Sequence, residues 1–200
     1  MPRSRIQFII DYIFSYPGVS NFLRSIVELG FVETKKAVRK ELDGNKKTLD
    51  IGCGGGTFSV LFKDYTGIDI DPKFIEYARK KREGEFYVMD ARDIKFKDNF
   101  FDNILVISLL HHLDDKAFLK VISEAKRVLR ENGQILVIAY IPTQSRFNII
   151  GKVAQKLDLG ENIRKVDHSL ELLGKNLFLK KSYKIRSGIS DYAVLVLTKK

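Results

Sequence analysis

Three carboxylates, each at the end of a short apolar run, are the residues best placed to hold a polar ligand: Asp50, Asp69 and Asp90. Asp50 opens the stretch Asp50-Ile-Gly52-Cys-Gly54-Gly-Gly56-Thr57. Its alternate glycines let the backbone turn sharply and come close to a ligand. A helix over 57–63 would aim the positive end of its dipole at the same spot. A dinucleotide turn of the form G-x-G-x-x-G would need glycine where Thr57 stands. On these residues alone the stretch reads either as a ligand turn or as a Gly-rich turn without one. Asp69 follows Gly52 by 17 residues, about what one strand–helix–strand unit needs to reach the neighbouring strand's carboxyl edge. A carboxylate there can accept from two vicinal hydroxyls together. Asp71, before Pro72, is read as the N-cap of the next helix, which leaves Asp69 for a ligand. Asp90-Ala91 closes a third apolar run, as a ligand contact or as an ordinary turn. Ser108-Leu-Leu-His111-His112 follows a fourth, and an imidazole there could take a proton from a reacting group.

These groups can act together only if a scaffold delivers them to one edge. Strands are predicted near 48–52, 65–70, 85–89, 103–108 and 134–140, alternating with helices near 57–63, 73–83 and 115–130. That alternation gives an α/β, doubly wound parallel sheet with helices on both faces. Asn132-Gly133 reads as the C-terminal stop of the third of these helices. Two more strand-like runs, 178–186 and 192–198, are joined by a turn too short for anything but antiparallel pairing.

The acid and glycines at 50–56, the Gly-Ile-Asp69 turn, the Asp90-Ala91 turn and the Phe101-Asp-Asn-Ile strand resemble, in that order, the motifs of the class I S-adenosylmethionine (SAM) methyltransferases. The resemblance covers about residues 48 to 140, and within the family it points to the small-molecule, quinone and lipid branch. It implies a Rossmann-like seven-stranded sheet, order 3-2-1-4-5-7-6, with the last strand antiparallel. It also implies SAM as cofactor, bound by Asp50, Gly52, Gly54, Gly56, Asp69, Ile70, Asp90, Ala91 and Ser108. In this division the glycine turn and Asp50 take the methionine end, Asp69 the ribose and Asp90 the adenine. The "H-H-[LF]" likeness places an imidazole near the methyl group, and His111 is the candidate base, against a packing or capping role for either histidine. His112, Tyr140 and Arg146 are the candidate acceptor contacts. His168 is read as structural or capping. The Asn/Asp-Pro-Pro-Tyr/Phe signature of enzymes acting on exocyclic amines of bases or on glutamine amides is not matched by Ser108-Leu-Leu-His111.

Composition sets bounds. Two hundred residues suit one domain: an N-terminal helical lid over 1–47, a SAM-binding half over 48–142, and a substrate-side segment with its hairpin over 143–200. No apolar run is long enough to span a bilayer, and the start does not resemble a cleaved signal. One cysteine excludes an internal disulfide and fits a reducing cytoplasm. Cys53 is read as buried packing, which leaves no cysteine for nucleophilic pyrimidine methylation. No Cys/His cluster has metal spacing.

Residues 1–47 carry nine Lys/Arg against five Asp/Glu, 48–142 carry 14 against 15, and 143–200 carry 12 against five. The excess positive charge therefore lies on the flanks. It reads as a contact for RNA or a membrane surface, or as a Lys-rich surface of thermophile character. The N-terminal runs 6–14 and 22–31 place apolar residues at helical spacing, and 146–156 is a second amphipathic piece. These segments either pack on the core or line an apolar acceptor pocket. The expected activity is methyl transfer from SAM to a small, apolar or amphiphilic acceptor. An RNA or protein methyltransferase, a non-catalytic SAM-binding subunit, and an NAD-preferring oxidoreductase on a similar sheet, which Thr57 argues against, are the alternatives, and the oligomeric state is open.

Overall fold

The computed structural model describes residues 16–143, 148, 162–174 and 176–200. The apolar run 6–14 and most of 146–156, Arg146 included, lie outside the described residues.

Strands β1 (Thr48–Ile51), β2 (Tyr65–Asp69), β3 (Glu85–Val88), β4 (Phe101–Ile107), β5 (Leu129–Tyr140), β6 (Leu177–Ser187) and β7 (Ser190–Lys199) form one sheet. Its order is β3-β2-β1-β4-β5-β7-β6, as the resemblance implied. Pairs from β3 through β5 are parallel, while β7 runs antiparallel between β5 and β6. Both faces are covered, so the central strands are apolar throughout and alternate residues serve opposite cores. Ile104, Val106, Ile135 and Val137 pack on one side with Phe118, Val121 and Ile122. Leu105, Leu136 and Ile138 pack on the other with Phe31, Val38 and Phe58.

The helices are α1 (Pro17–Val27), α2 (Val32–Glu41), α3 (Pro72–Lys81), α4 (Asp115–Val128) and α5 (Val166–Gly174). Pro17 starts α1, a position where proline loses no hydrogen bond. Asp71 and Asp114 cap α3 and α4 by accepting from Lys73 N and Ala117 N, both at 2.8 Å. The helix α4 carries Phe118, Val121, Ile122, Ala125 and Val128 at helical spacing into the core.

Two expectations are corrected. The segment after the glycine turn is not a helix over 57–63 but a 3-10 turn, Ser59–Leu61, followed by extended Phe62. The chain must return along β1, roughly 13 Å for four extended residues, and seven helical residues would span only about 10 Å. The extended exit makes up the distance. The glycine turn therefore has no helix dipole behind it. The second correction concerns the end of α4. The helix stops at Val128, and Asn132-Gly133 does not cap it. Leu129 is fully buried and already extended, pairing with Phe101, so the strand begins at once. Gly133 serves close packing instead, since a Cβ there would lie 2.7 Å from the Asp102 carbonyl oxygen.

Candidate active site

The carboxyl edge of β1 and β2 is closed by short local hydrogen bonds. Gly52 N and Cys53 N both donate to the Ile68 carbonyl, at 2.8 and 3.0 Å. The turn keeps its shape through positive φ values at Gly52 (75°), Gly54 (50°) and Gly56 (69°), a region that favours glycine. Asp69, the last residue of β2, accepts from Gly54 N at 2.8 Å and from Asp71 N at 3.0 Å. Each carboxylate oxygen keeps a further lone pair for a ligand. Gly55 N–H and Thr57 N–H have no hydrogen-bond partner among the described residues. The turn thus offers donors where a helix end was expected to.

Asp50 lies elsewhere in this arrangement. It is 1% exposed, beneath the turn, and accepts the Tyr65 hydroxyl at 2.6 Å. Burial raises its carboxyl to about 7; the Tyr65 hydrogen bond opposes the shift and the Asp69 charge adds to it. Cys53 is buried beside Gly67, and burial pushes its thiol well up, which suits packing. Ile70 is 64% exposed at the edge.

Asp90 ends the third strand's path, where Met89 N donates to the Asp69 carbonyl at 2.9 Å. Its carboxylate is gripped by Arg92 through both oxygens, 2.7 Å at the shortest, which lowers its pKa. The loop behind Asp90 and Ala91 is tied down by Glu124, accepting from Ile94 N at 2.9 Å, and by Arg127, donating to the Ile94 and Phe96 carbonyls.

At the end of β4, Ser108 adopts φ 51°, a left-handed conformation uncommon for serine. That bend sends Leu109 across Gly52, where an added Cβ would meet it at 3.0 Å. It also sets His111 and His112 in a 3-10 turn, Leu110–His112. His111 is 6% exposed, with its ring 4.1 Å from that of His112 and 5.6 Å from Tyr140. Burial, then the charges of His112, Arg24 and Arg164, hold its pKa well below the usual value, so the imidazole is neutral at pH 7. His112 is exposed. The Tyr140 ring lies tilted, 5.5 Å from that of Tyr192, whose hydroxyl lies between Glu28 and Ser108.

Sequence reasoning missed Glu28, Tyr192 and Arg164. Glu28, in the turn after α1, is buried and approaches Arg24 at 3.4 Å. Arg164 holds the histidine turn in place, donating to the Leu110 carbonyl at 2.7 Å and to Asp115 at 2.9 Å. No local pattern marks any of the three. His168, expected to be structural or capping, lies in the first turn of α5 and meets Asp115 at 3.0 Å.

The helix α1 lies over this edge. Its first half rests on the glycine turn and on Tyr77 of α3, where Asn21 meets Gly55. Its end is pinned by the β6–β7 turn, with Ser187 Oγ donating to the Glu28 carbonyl at 3.0 Å. Phe22 (64% exposed), Ile26 and Leu29 (71%) face outward. A separate cleft of about 320 Å³, lined by Asp43, Lys46, Asp102 and Arg130, sits at the opposite edge of the sheet, away from these groups.

A seven-stranded sheet of this order, with a glycine turn and acids at its carboxyl edge, defines the class I methyltransferase architecture, and residues 49–137 match the methyltransferase domain family. Over that domain, 89 of the 200 residues, the likeness is to the class I SAM-dependent methyltransferases. It is 32% identical over 127 residues to demethylmenaquinone methyltransferase of Thermotoga maritima, covering 60% of this chain and 54% of that protein. It is 36% identical over 107 residues to norajmaline N-methyltransferase of Rauvolfia serpentina, covering 48% and 36%. The chain spans about half the length, or less, of these curated relatives. A methyltransferase of Haloferax volcanii solved with the Trm112 activator shares the fold at a TM-score of 0.76 and 14% identity, over 95% of this chain and 97% of that one. Among the described residues no His/Cys/Asp/Glu group could hold a metal, and no helix is long and apolar enough to cross a membrane.

Proposed function

We propose that the protein transfers a methyl group from SAM to a small, apolar or amphiphilic acceptor, as one methyltransferase domain. The observation that carries this reading is the single edge shared by the glycine turn, Asp69 and the Ser108–His112 segment. The residues present fit the cofactor. Asp69 keeps lone pairs for a ribose diol, Gly55 and Thr57 keep amide donors for an anionic end, and the glycines leave room for close approach.

When bound, SAM supplies a methyl group on a sulfonium, an electrophile that needs no activation by the protein. The chain's part is position, since near-attack geometry removes much of the barrier to an in-line displacement. In this reading Asp69 orients the ribose, Asp90 and Ala91 border the adenine beside Ile70, and Asp50 supports the glycine turn from beneath. Ser108, His111, His112 and Tyr140 face the reacting methyl, and Arg164 keeps their turn in place. Neutral His111 can accept a proton from an acidic acceptor, though its low pKa makes it a weak base.

The acceptor class rests on the outward-facing apolar residues of α1, Phe22, Ile26 and Leu29, and on the small-molecule acceptors that the names of the two curated relatives indicate. The basic flank gives less support to an RNA acceptor, because Lys181 is paired with Glu41 and Lys199 with Glu131. Incubation with methyl-labelled SAM and a cell extract, followed by partition, tests the proposal. Label in the organic phase is expected. Label confined to RNA or protein would overturn the acceptor class, and activity falling steeply with salt would mark a polyanion.

A further inference from the structure

The run Gly52-Cys-Gly54-Gly55-Gly56 holds one glycine more than its backbone requires. Gly52, Gly54 and Gly56 have positive φ values; Gly55 does not. What excludes a side chain at 55 is helix α1. A Cβ on Gly55 would lie 2.0 Å from Asn21 Nδ2 and 3.0 Å from Asn21 Cγ. The amide of Asn21 therefore sits directly on the glycine turn, from a helix that begins 35 residues before Gly52.

That amide nitrogen is buried and has no hydrogen-bond partner among the described residues. Leaving a buried donor unpaired costs about 1–3 kcal/mol, which a ligand acceptor would recover. It is not alone, because the Gly55 and Thr57 N–H groups of the same turn have no partner among the described residues either. Arg82 Nε approaches the Gly55 carbonyl at 3.4 Å, on the same peptide segment. Three unspent donors on and against one turn suit a carboxylate.

We propose that Asn21 is a cofactor-binding residue, its side-chain amide holding the carboxylate of the amino-acid end of SAM against the Gly55 turn. The proposal rests on the reading of this edge as a SAM site and adds to it a contact from outside the matched domain. It makes α1 a part of the cofactor site as well as a cover for it. Cofactor affinity then depends on α1 being seated, and Asn21 is the group that senses the amino-acid end.

Titration calorimetry with two ligands tests it. S-adenosylhomocysteine carries the amino-acid end; 5′-methylthioadenosine keeps the adenine and ribose and lacks it. Asn21→Ala should weaken S-adenosylhomocysteine about tenfold and leave methylthioadenosine within about twofold. Asn21→Asp should weaken the first ligand further, because its carboxylate repels the ligand's own. Gly55→Ala, which keeps Asn21 but displaces its amide, should give the same ligand-selective loss. Unchanged S-adenosylhomocysteine affinity in Asn21→Ala overturns the proposal. So does an equal loss for both ligands, which would mark disturbed packing of α1. If the unaltered protein binds neither ligand, the SAM reading itself fails and takes this proposal with it.

Discussion

The carboxyl edge of β1 and β2 and the edge where β4 and β5 end and the antiparallel β7 begins are built on different plans. On the first, polar groups are satisfied by near neighbours: Asp69 by Gly54 N and Asp71 N, Gly52 N by Ile68, Asp90 by Arg92. On the second, Glu28, Ser108, His111, Tyr140, Arg164 and Tyr192 come from segments far apart in the chain and meet through side chains. A ligand common to a whole family can be held by backbone geometry, which tolerates wide sequence change. An acceptor particular to one enzyme calls for side chains, which can be exchanged without rebuilding the sheet.

Four substitutions probe that contrast. The largest effect is expected at Asp69→Ala, which removes the carboxylate that both closes the turn and faces the edge. SAM affinity should fall a hundredfold or more by calorimetry, with the folded far-ultraviolet spectrum retained. Undiminished affinity would falsify the ribose assignment. At Asp50→Asn the expected change is in stability. A carboxyl raised to about 7 by burial holds its proton in the folded chain when the unfolded chain, near pH 4, has released it. The folded state then binds more protons between about pH 4 and 7, so wild-type stability falls as pH rises through that window. Asparagine keeps an acceptor for Tyr65 and should be more stable than wild type above pH 7, by about 1–3 kcal/mol in denaturant titrations. Parallel pH profiles for the two proteins would show that Asp50 is not held protonated.

On the other edge, Tyr192→Phe strips the hydroxyl from beside Glu28 and Ser108. A loss of about 1–2 kcal/mol is expected, with SAM affinity unchanged and any kinetic effect appearing in the acceptor's KM. A matching loss of SAM affinity would mean that the two edges are not separable. The smallest effect belongs to His111→Leu. The buried imidazole stays neutral while the unfolded one takes a proton below about pH 6.5, so wild-type stability declines on the acid side. Leucine should flatten that decline by about 1 kcal/mol at pH 5, read from thermal melts; an unaltered acid limb would place the responsible group elsewhere.

Much of the first edge was legible in the sequence because its interactions lie within single turns or between adjacent strands of one strand–helix–strand unit. The spacing of Asp50, Asp69 and Asp90 follows from the strand–helix–strand repeat, and alternation along β4 and β5 required helices on both faces. The helix expected over 57–63 failed because periodicity does not register how far the chain must travel to begin β2. The stop expected at Asn132-Gly133 failed because Leu129 is drawn into the core beside Phe101, outweighing a local turn preference. Gly55 was the one unread signal for α1: a glycine with no φ requirement points to something packed on it.

The sequence by itself determined the sheet, its order through resemblance, and which strand ends carry acids, since periodicity and turn chemistry act over a few residues. Only the tertiary structure decided that Asp50 lies beneath the turn with Tyr65, that His111 is buried and neutral, that Asn21 reaches the glycine turn, and that Glu28, Arg164 and Tyr192 meet at the end of β4 and β5. Those placements depend on burial and on contacts between distant segments, which no short-range pattern encodes.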